Sequence, residues 1–376
     1  MHSALIYTDA YVQYQYSDSH PLKPYRLRLT HALMQRYGLL QLPQSCVRET
    51  VPATQEELEL FHTPEYLGVL RAAEAGKRTI PYGRYGLGPG DNPIFHGMYA
   101  WSELCAGGAL QAARLVTSGE VAVAFHIAGG LHHGMPNHAS GFCYVNDLAI
   151  AITAMVQQGY RVAYIDVDVH HGDGVQAAFY DTDQVLTISL HESGRFLFPG
   201  TGFVEEIGAG KGQGYTVNLP FPPGTDDTLF SAGFSAIVPP LLEAYKPDVV
   251  VTQLGVDTFH DDPLAHGEVT TTGFVAVLQQ LKALAPRWMA TGGGGYNVTN
   301  VARAWTLAWG VMNDIDIPDA LPEEALPLLQ QAGYEGYTLR DPASQLSQAR
   351  HNRLRVEVQA AIAYLERHVF PIHGLH

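Results

Sequence analysis

The stretch Arg161–Gly174, RVAYIDVDVHHGDG, opens as an apolar, β-prone run and closes with Asp166, Asp168, His170, His171 and Asp173 crowded together. A near-continuous apolar run of this length predicts a strand buried on both faces, as in a parallel sheet. Side chains on a strand alternate with period two, so a strand continued over 161–169 sets Asp166, Asp168 and His170 on one face. Ile165, Val167 and Val169 then fall on the other. Two carboxylates held close in a low-dielectric site repel unless a cation lies between them. In open α/β sheets, sites lie beyond the carboxyl ends of strands, which is where this cluster falls. The economical reading is a metal site with Asp168 and His170 as ligands. The competing reading has the same residues capping the next helix and forming surface ion pairs.

Working outward, further apolar runs predict strands at 3–8, 121–127, 184–190, 248–255 and 287–293. Between them, Leu29, Leu33 and Tyr37 recur four apart in a helix-like segment that closes at Gly38. Residues 147–160 read as a helix with Asp147 as N-cap and a stop at Gly159. Val358, Ile362, Leu365 and Val369 form an apolar stripe near the C-terminus. Alternating strands and helices predict an α/β fold, a mainly parallel sheet flanked by helices. No repeat or long linker divides the chain, so one domain over 1–376 is expected, with 315–350 as a surface excursion.

Other constellations support the metal reading. AGGLHHGMPNHASGFCY (128–144) follows a predicted strand and presents His132 and His133 after a Gly-Gly turn. Imidazoles titrate near neutrality and can take or give a proton. Asp166 and Asp173 are available to orient one imidazole each. Taken alone, such a pair is more often structural. QLGVDTFHDDPLAHG (253–267) ends an apolar strand at Asp257, which can supply a third ligand. His260, Asp261, Asp262 and His266 beyond it are expected in a solvated polar loop. ATGGGGYNVTNVARAW (290–305) sets Tyr296 after four glycines that let the backbone approach a ligand. It lacks the Walker and GxGxxG spacings. A phenol there is a suitable donor to a developing oxyanion. An Asp–His–Asp metal centre, a His pair and a tyrosine donor are the equipment for metal-assisted amide hydrolysis.

Composition narrows the setting. The formal net charge is −15, from 22 basic and 37 acidic residues. Such a surface repels phosphate backbones, which argues against direct nucleic-acid binding and leaves Lys-rich peptides open. The three cysteines, Cys46, Cys105 and Cys143, form no CxxC pair or disulfide framework, as suits a reducing compartment. MHSALIYTDAY does not read as a signal peptide, and no apolar stretch of membrane-spanning length occurs. A cytoplasmic address is expected, with no membrane partner.

The stretches HPLKPYRLRLTHAL, GGLHHGMPNHASGFCYVND, YIDVDVHHGDGVQAAFY, SLHESGRFLFPGTG, GAGKGQGY and GGGGYNVTNVARAWT together closely resemble the zinc-dependent histone deacetylase family, including its bacterial acetoin-utilisation members. The likeness runs in order from about residue 18 to 310. It implies the arginase–deacetylase fold, a single α/β domain with a central, mainly parallel eight-stranded sheet. It implies Asp168, His170 and Asp257 as zinc ligands. It also implies His133 as general base and acid, with Asp173 as its carboxylate partner, and His132 with Asp166 as an electrostatic pair. Tyr296 matches the tyrosine that polarises the scissile carbonyl. Gly141, Phe142 and Phe198 match the walls of a narrow tunnel for an acyl-lysine stem, and Asp91 a rim carboxylate. The resemblance further implies structural K⁺ or Na⁺ ions. One site would use Asp166, Asp168, His170, Ser189 and Leu190, and another Phe179, Thr182, Val185 and Tyr215.

Departures bear on substrate. Gly134–Asn137 replace the more basic stretch of eukaryotic class I members, and DTFHDDPLAH differs from their usual loop. Leu264 stands where a polyamine-selective relative carries an acidic gatekeeper, which weakens an acetylpolyamine reading beside the acyl-lysine one. Two carboxylates with one imidazole make a fairly hard site, for which iron(II) is an alternative to zinc. A two-manganese arginase-like centre needs a carboxylate where Phe259 stands. A catalytically dead acyl-lysine binding module could have lost Tyr296, a tandem histidine or a ligand, yet all are present.

Overall fold

A computed structural model describes residues 3–344 and 346–376. Met1 and His2 of the opening segment, and Gln345 of the predicted excursion, lie outside the described residues. The strands are β1 (Ser3–Tyr7), β2 (Ser45–Glu49), β3 (Val123–His126), β4 (Val162–Asp166), β5 (Val185–Glu192), β6 (Thr216–Phe221), β7 (Val249–Gln253) and β8 (Trp288–Thr291). They form one eight-stranded sheet in the order β2-β1-β3-β8-β7-β4-β5-β6. Every pairing is parallel.

Period-two alternation sorts the sheet's side chains into two apolar layers. Leu5, Phe125, Ile165, Val250 and Ala290 face one layer, joined by Trp305 and Trp309 of the helix Val298–Met312. Ala4, Ile6, Ala124, Tyr164, Val251 and Met289 face the other, against Ala109 and Val116 of the helix Met98–Thr117 and Leu148 and Ile152 of the helix Asp147–Gln157. Burial of both faces is what makes the strands read as near-continuous apolar runs.

Three expectations need correction. The strand predicted over 161–169 stops at Asp166, so Asp168 and His170 are not placed by strand alternation. Asp166 Oδ1 accepts the Asp168 N–H (3.1 Å) and Asp168 Oδ1 accepts the His170 N–H (3.0 Å), so short aspartate side chains turn the backbone out of the sheet. The N-cap of the helix Asp147–Gln157 is Asn146, whose Oδ1 accepts the Ala149 N–H at 2.8 Å. The segment 315–344 is no mere surface excursion, because Ile317, Leu321, Ala325, Leu329 and Leu339 join the first apolar layer. Among the described residues, no helix is long and apolar enough to cross a membrane.

Candidate active site

The carboxyl ends of β3, β4, β7 and β8 lie side by side in the centre of the sheet, so the loops that leave them converge. From β4 come Asp166, Asp168 and His170; from β7 comes Asp257; from β3 come His132 and His133; from β8 come the glycines and Tyr296. One ligand atom each of Asp168, His170 and Asp257 lies within 4.8 Å of the others, and all three residues are buried. His170 Nδ1 is 3.1 Å from Asp168 Oδ1 and 3.0 Å from Asp257 Oδ2. Burial would depress His170, but its bonds to Asp168 and Asp257 prevail and raise it to about 10. Burial and then the charge of Asp168 push Asp257 up to about 6. Two carboxylates converging on one imidazole form a donor set that fits a divalent cation.

The second group is the tandem imidazoles, whose ring centroids are 4.0 Å apart. His132 Nδ1 bonds Asp166 Oδ2 at 2.7 Å, and His133 Nδ1 bonds Asp173 Oδ1 at 2.7 Å. A carboxylate only accepts, so each Nδ1 donates, and Nε2 is the remaining nitrogen of each ring. Burial opposes charge on both rings. At His132 the carboxylates of Asp166 and Asp168 outweigh it, raising the pKa to about 9. At His133 burial prevails, reinforced by His132, and the pKa falls to about 4. Burial, the carboxylates and the rings' mutual charge thus push the two neighbouring histidines in opposite directions.

Tyr296 is part-buried beside them. Burial, then Asp257 and Asp168, raise its pKa well above the usual phenol value, so the hydroxyl keeps its proton. Its ring meets Phe142 edge-on at 5.6 Å, while Phe198 meets His133 at 5.0 Å and His170 at 6.3 Å. Phe142 has φ +69, in the left-handed region, directly after Gly141 at φ +49. For a bulky residue that conformation costs about 1–2 kcal/mol. The Ser140–Cys143 bridge and the Tyr16 hydroxyl on the Phe142 carbonyl (2.8 Å) hold it there. At Gly141 a Cβ would strike the His133 ring, so only glycine fits.

Other expected residues are placed as follows. Asp91 is exposed and borders an open surface depression shared with Gly141 and Phe198. Leu264 is half-buried, its N–H donating to Asp262 Oδ1 at 3.0 Å. Ser189 pairs in register with Asp166 across β4 and β5, with Leu190 next to it. Phe179 ends a helix, Thr182 lies in the turn after it, Val185 starts β5 and Tyr215 precedes β6. Cys143 is buried, with its thiol on the Gly141 carbonyl at 3.3 Å.

Several contributors escaped the sequence reading. Asp147 is fully buried and accepts the Gly130 and Leu131 N–H groups (3.1 and 2.8 Å), fixing the turn that carries the histidines. Gln253 donates to Asp168 Oδ2 at 2.6 Å, and the Gly294 N–H reaches the same oxygen at 2.7 Å. Arg26 is a buried cation whose Nη1 donates to the Gly295 carbonyl at 2.9 Å. Asp262, expected in a solvated loop, is buried, and burial followed by the charge of Asp257 pushes it up to about 7.

Comparison with known proteins places this arrangement. A profile described as the histone deacetylase domain matches residues 20–312. The chain is 40% identical over 331 residues to the acetoin utilization protein AcuC of Bacillus subtilis, covering 86% of this chain and 85% of that one. It is 38% identical over 314 residues to histone deacetylase RPD3 of Saccharomyces cerevisiae, covering 82% and 71% of the two chains. With histone deacetylase 1 of Homo sapiens the identity is 38% over 312 residues, covering 82% of this chain and 64% of the human one. A histone deacetylase homologue solved in complex with SAHA superposes with a TM-score of 0.89 at 35% identity, covering 97% of this chain and all of the other. A homologue from Aquifex aeolicus gives 0.86 at 35% identity, over 96% of this chain and all of its own. These likenesses put the parallel sheet and its helices in the arginase–deacetylase fold class, as expected. The chain belongs to the histone deacetylase family and is a hydrolase of that family.

Proposed function

We propose that the protein hydrolyses the amide of an Nε-acyl-lysine in a protein or peptide, releasing lysine and a carboxylate. The observation that carries this reading is a single convergence. The Asp168–His170–Asp257 donor set, the oppositely polarised His132 and His133, and the protonated Tyr296 meet where Phe142 and Phe198 offer aromatic walls. Zinc is the metal we assign to the donor set, with iron(II) the alternative. When bound, the ion supplies a Lewis acid for the acyl oxygen and acidifies a water.

The chain's own groups do the rest. Phe142 and Phe198 enclose the aliphatic lysine stem, and Asp91 at the rim accepts from the substrate backbone. The Tyr296 hydroxyl donates to the oxygen that becomes negative as the carbonyl carbon turns tetrahedral. His133, neutral and oriented through Nδ1 by Asp173, takes the proton of the attacking water on Nε2. It returns that proton to the lysine nitrogen as the C–N bond breaks. His132, held cationic by Asp166 and Asp168, favours the negative charge that develops beside it. We assign K⁺ or Na⁺ structural roles near Asp166 and Ser189 and near Phe179 and Val185. The enzyme is read as one cytoplasmic catalytic domain spanning 1–376.

Tyr296→Phe in the zinc-loaded protein tests the assignment. It is expected to lower kcat on an acetyl-lysine peptide by about 10²–10³-fold with the metal stoichiometry unchanged. A variant retaining most of the wild-type kcat overturns it.

A further inference from the structure

Loop residues 258–269, after Asp257, carry two adjacent carboxylates with different partners. Asp261 lies exposed and accepts from the side-chain amides of Asn297, at 2.9 Å, and Asn300. Asp262 is turned inward and is only 7% exposed. Its Oδ2 accepts the backbone N–H of Tyr296 at 2.7 Å, and its Oδ1 accepts that of Leu264 at 3.0 Å.

What Asp262 holds is a residue reached through a glycine run that is fixed by backbone bonds alone, among them the Gly294 N–H to Asp168 Oδ2 at 2.7 Å. Tyr296 follows Gly292–Gly295, a run with no side chains to pack, and Gly295 sits at φ +129, where a side chain would be strained. Glycine retains more backbone freedom than any other residue, so the run by itself does not aim the phenol. The backbone is pinned at a few points. Val256 N–H donates to the Gly294 carbonyl at 3.0 Å, and Arg26 donates to the Gly295 carbonyl. At Tyr296 itself the restraint is the bond to Asp262. Such a bond, short and largely buried away from water, is electrostatically stronger than the same bond in solvent.

We propose that Asp262 is a positioning residue that aims the Tyr296 hydroxyl relative to Asp257, an inference that rests on Tyr296 being the oxyanion donor. Asp262 need not touch the reacting atoms. Its loop follows directly on Asp257, four residues beyond the end of β7 at Gln253, so the same short segment that supplies a candidate ligand also sets the distance to the tyrosine. A displacement of about 1 Å at a reacting group costs on the order of 10²-fold in rate, so a lost anchor is expected to show in kcat.

The test is a double-mutant cycle on the zinc-loaded full chain with an acetyl-lysine peptide, comparing wild type, Asp262→Ala, Tyr296→Phe and the double variant. Asp262→Ala is expected to lower kcat at least about tenfold, with KM and zinc stoichiometry close to wild type. Asp262→Asn, which keeps one acceptor oxygen, is expected to recover part of that loss. In the Tyr296→Phe background, Asp262→Ala is expected to add nothing. An unimpaired Asp262→Ala beside an impaired Tyr296→Phe overturns the proposal alone, and so does an equal loss in both backgrounds. A fully active Tyr296→Phe overturns the parent reading, and the proposal falls with it. Should Asp262→Ala fail to fold, Asp262→Asn closes the same cycle, with a smaller loss expected in the first background and none in the second.

Discussion

At Gly294 the site leaves no room for a side chain. A Cβ there would collide with Asp257 Oδ2 and crowd Asp168 Oδ2, two of the oxygens around the candidate metal. The glycine backbone has an ordinary φ, so alanine meets only this collision. Gly294→Ala is therefore expected to weaken zinc binding at least about tenfold, the size of effect seen when groups supporting a metal ligand are disturbed. A zinc titration of the metal-free variant measures it, and wild-type affinity would contradict the placement of Asp168 and Asp257 around the ion. At this scale the sequence was legible wherever chemistry-bearing residues crowd at a strand end. Asp168, His170, Asp257 and the tandem histidines could be found so. Asp147, Gln253 and Asp262 could not, because each is a single ordinary polar residue whose importance comes from a partner far along the chain. Asp147 reaches back to Gly130, Gln253 across to Asp168, and Asp262 forward to Tyr296.

Elements meet at His62, which stands at the turn before the helix Pro64–Glu74. Its Nε2 accepts the N–H of Asn146, the residue that caps the helix Asp147–Gln157 and whose amide also donates to the His132 and Gly134 carbonyls. Acceptance at Nε2 requires a neutral ring with its proton on Nδ1. Burial lowers the His62 pKa to about 4. An unfolded chain takes up that proton near pH 6.5 and the folded one only near 4, so this contribution to stability is complete above 6.5 and is lost as pH falls towards 4. Relative to His62→Gln, the wild type is expected to lose roughly 3 kcal/mol between pH 7 and 4. Urea unfolding of both proteins across that range reads the difference. A gap that stays constant with pH would show that His62 is not held neutral. Strands were legible here when both faces are buried. β2 escaped because it is an edge strand whose residues are half-exposed or exposed. β6, at the other edge, contains Pro220, which only an edge strand tolerates. The early end of β4 was hidden because aspartates that bond their own backbone look like strand residues in an alternating pattern.

Across the whole molecule, one parallel sheet gathers four loops at its centre, and the chain as a whole carries a formal net charge of −15. The fold class was legible as a whole because repeated β–helix alternation leaves few alternatives. The helix Met98–Thr117 was not singled out, since sixteen of its twenty residues are buried and only a narrow strip, with Glu103, Gln111 and Arg114 as its polar members, marks its period. Substrate choice is also a property at this scale, because under the proposed function it depends on what enters between Phe142, Phe198 and the rim at Asp91. On the proposed reading, a peptide offers backbone N–H groups to Asp91, and its own cationic neighbours suit a chain of net charge −15. An acetylated diamine offers instead a free ammonium at its far end, for which Leu264 supplies no acidic partner. The kcat/KM of the zinc-loaded protein on an acetyl-lysine peptide and on an acetylated diamine, under the same conditions, decides between the two substrate classes. Hydrolysis of both or of the peptide alone is expected, with the peptide preferred at least about tenfold, the consequence of about 1.4 kcal/mol in transition-state binding. Preference for the diamine, or no hydrolysis of either, would contradict the proposed function.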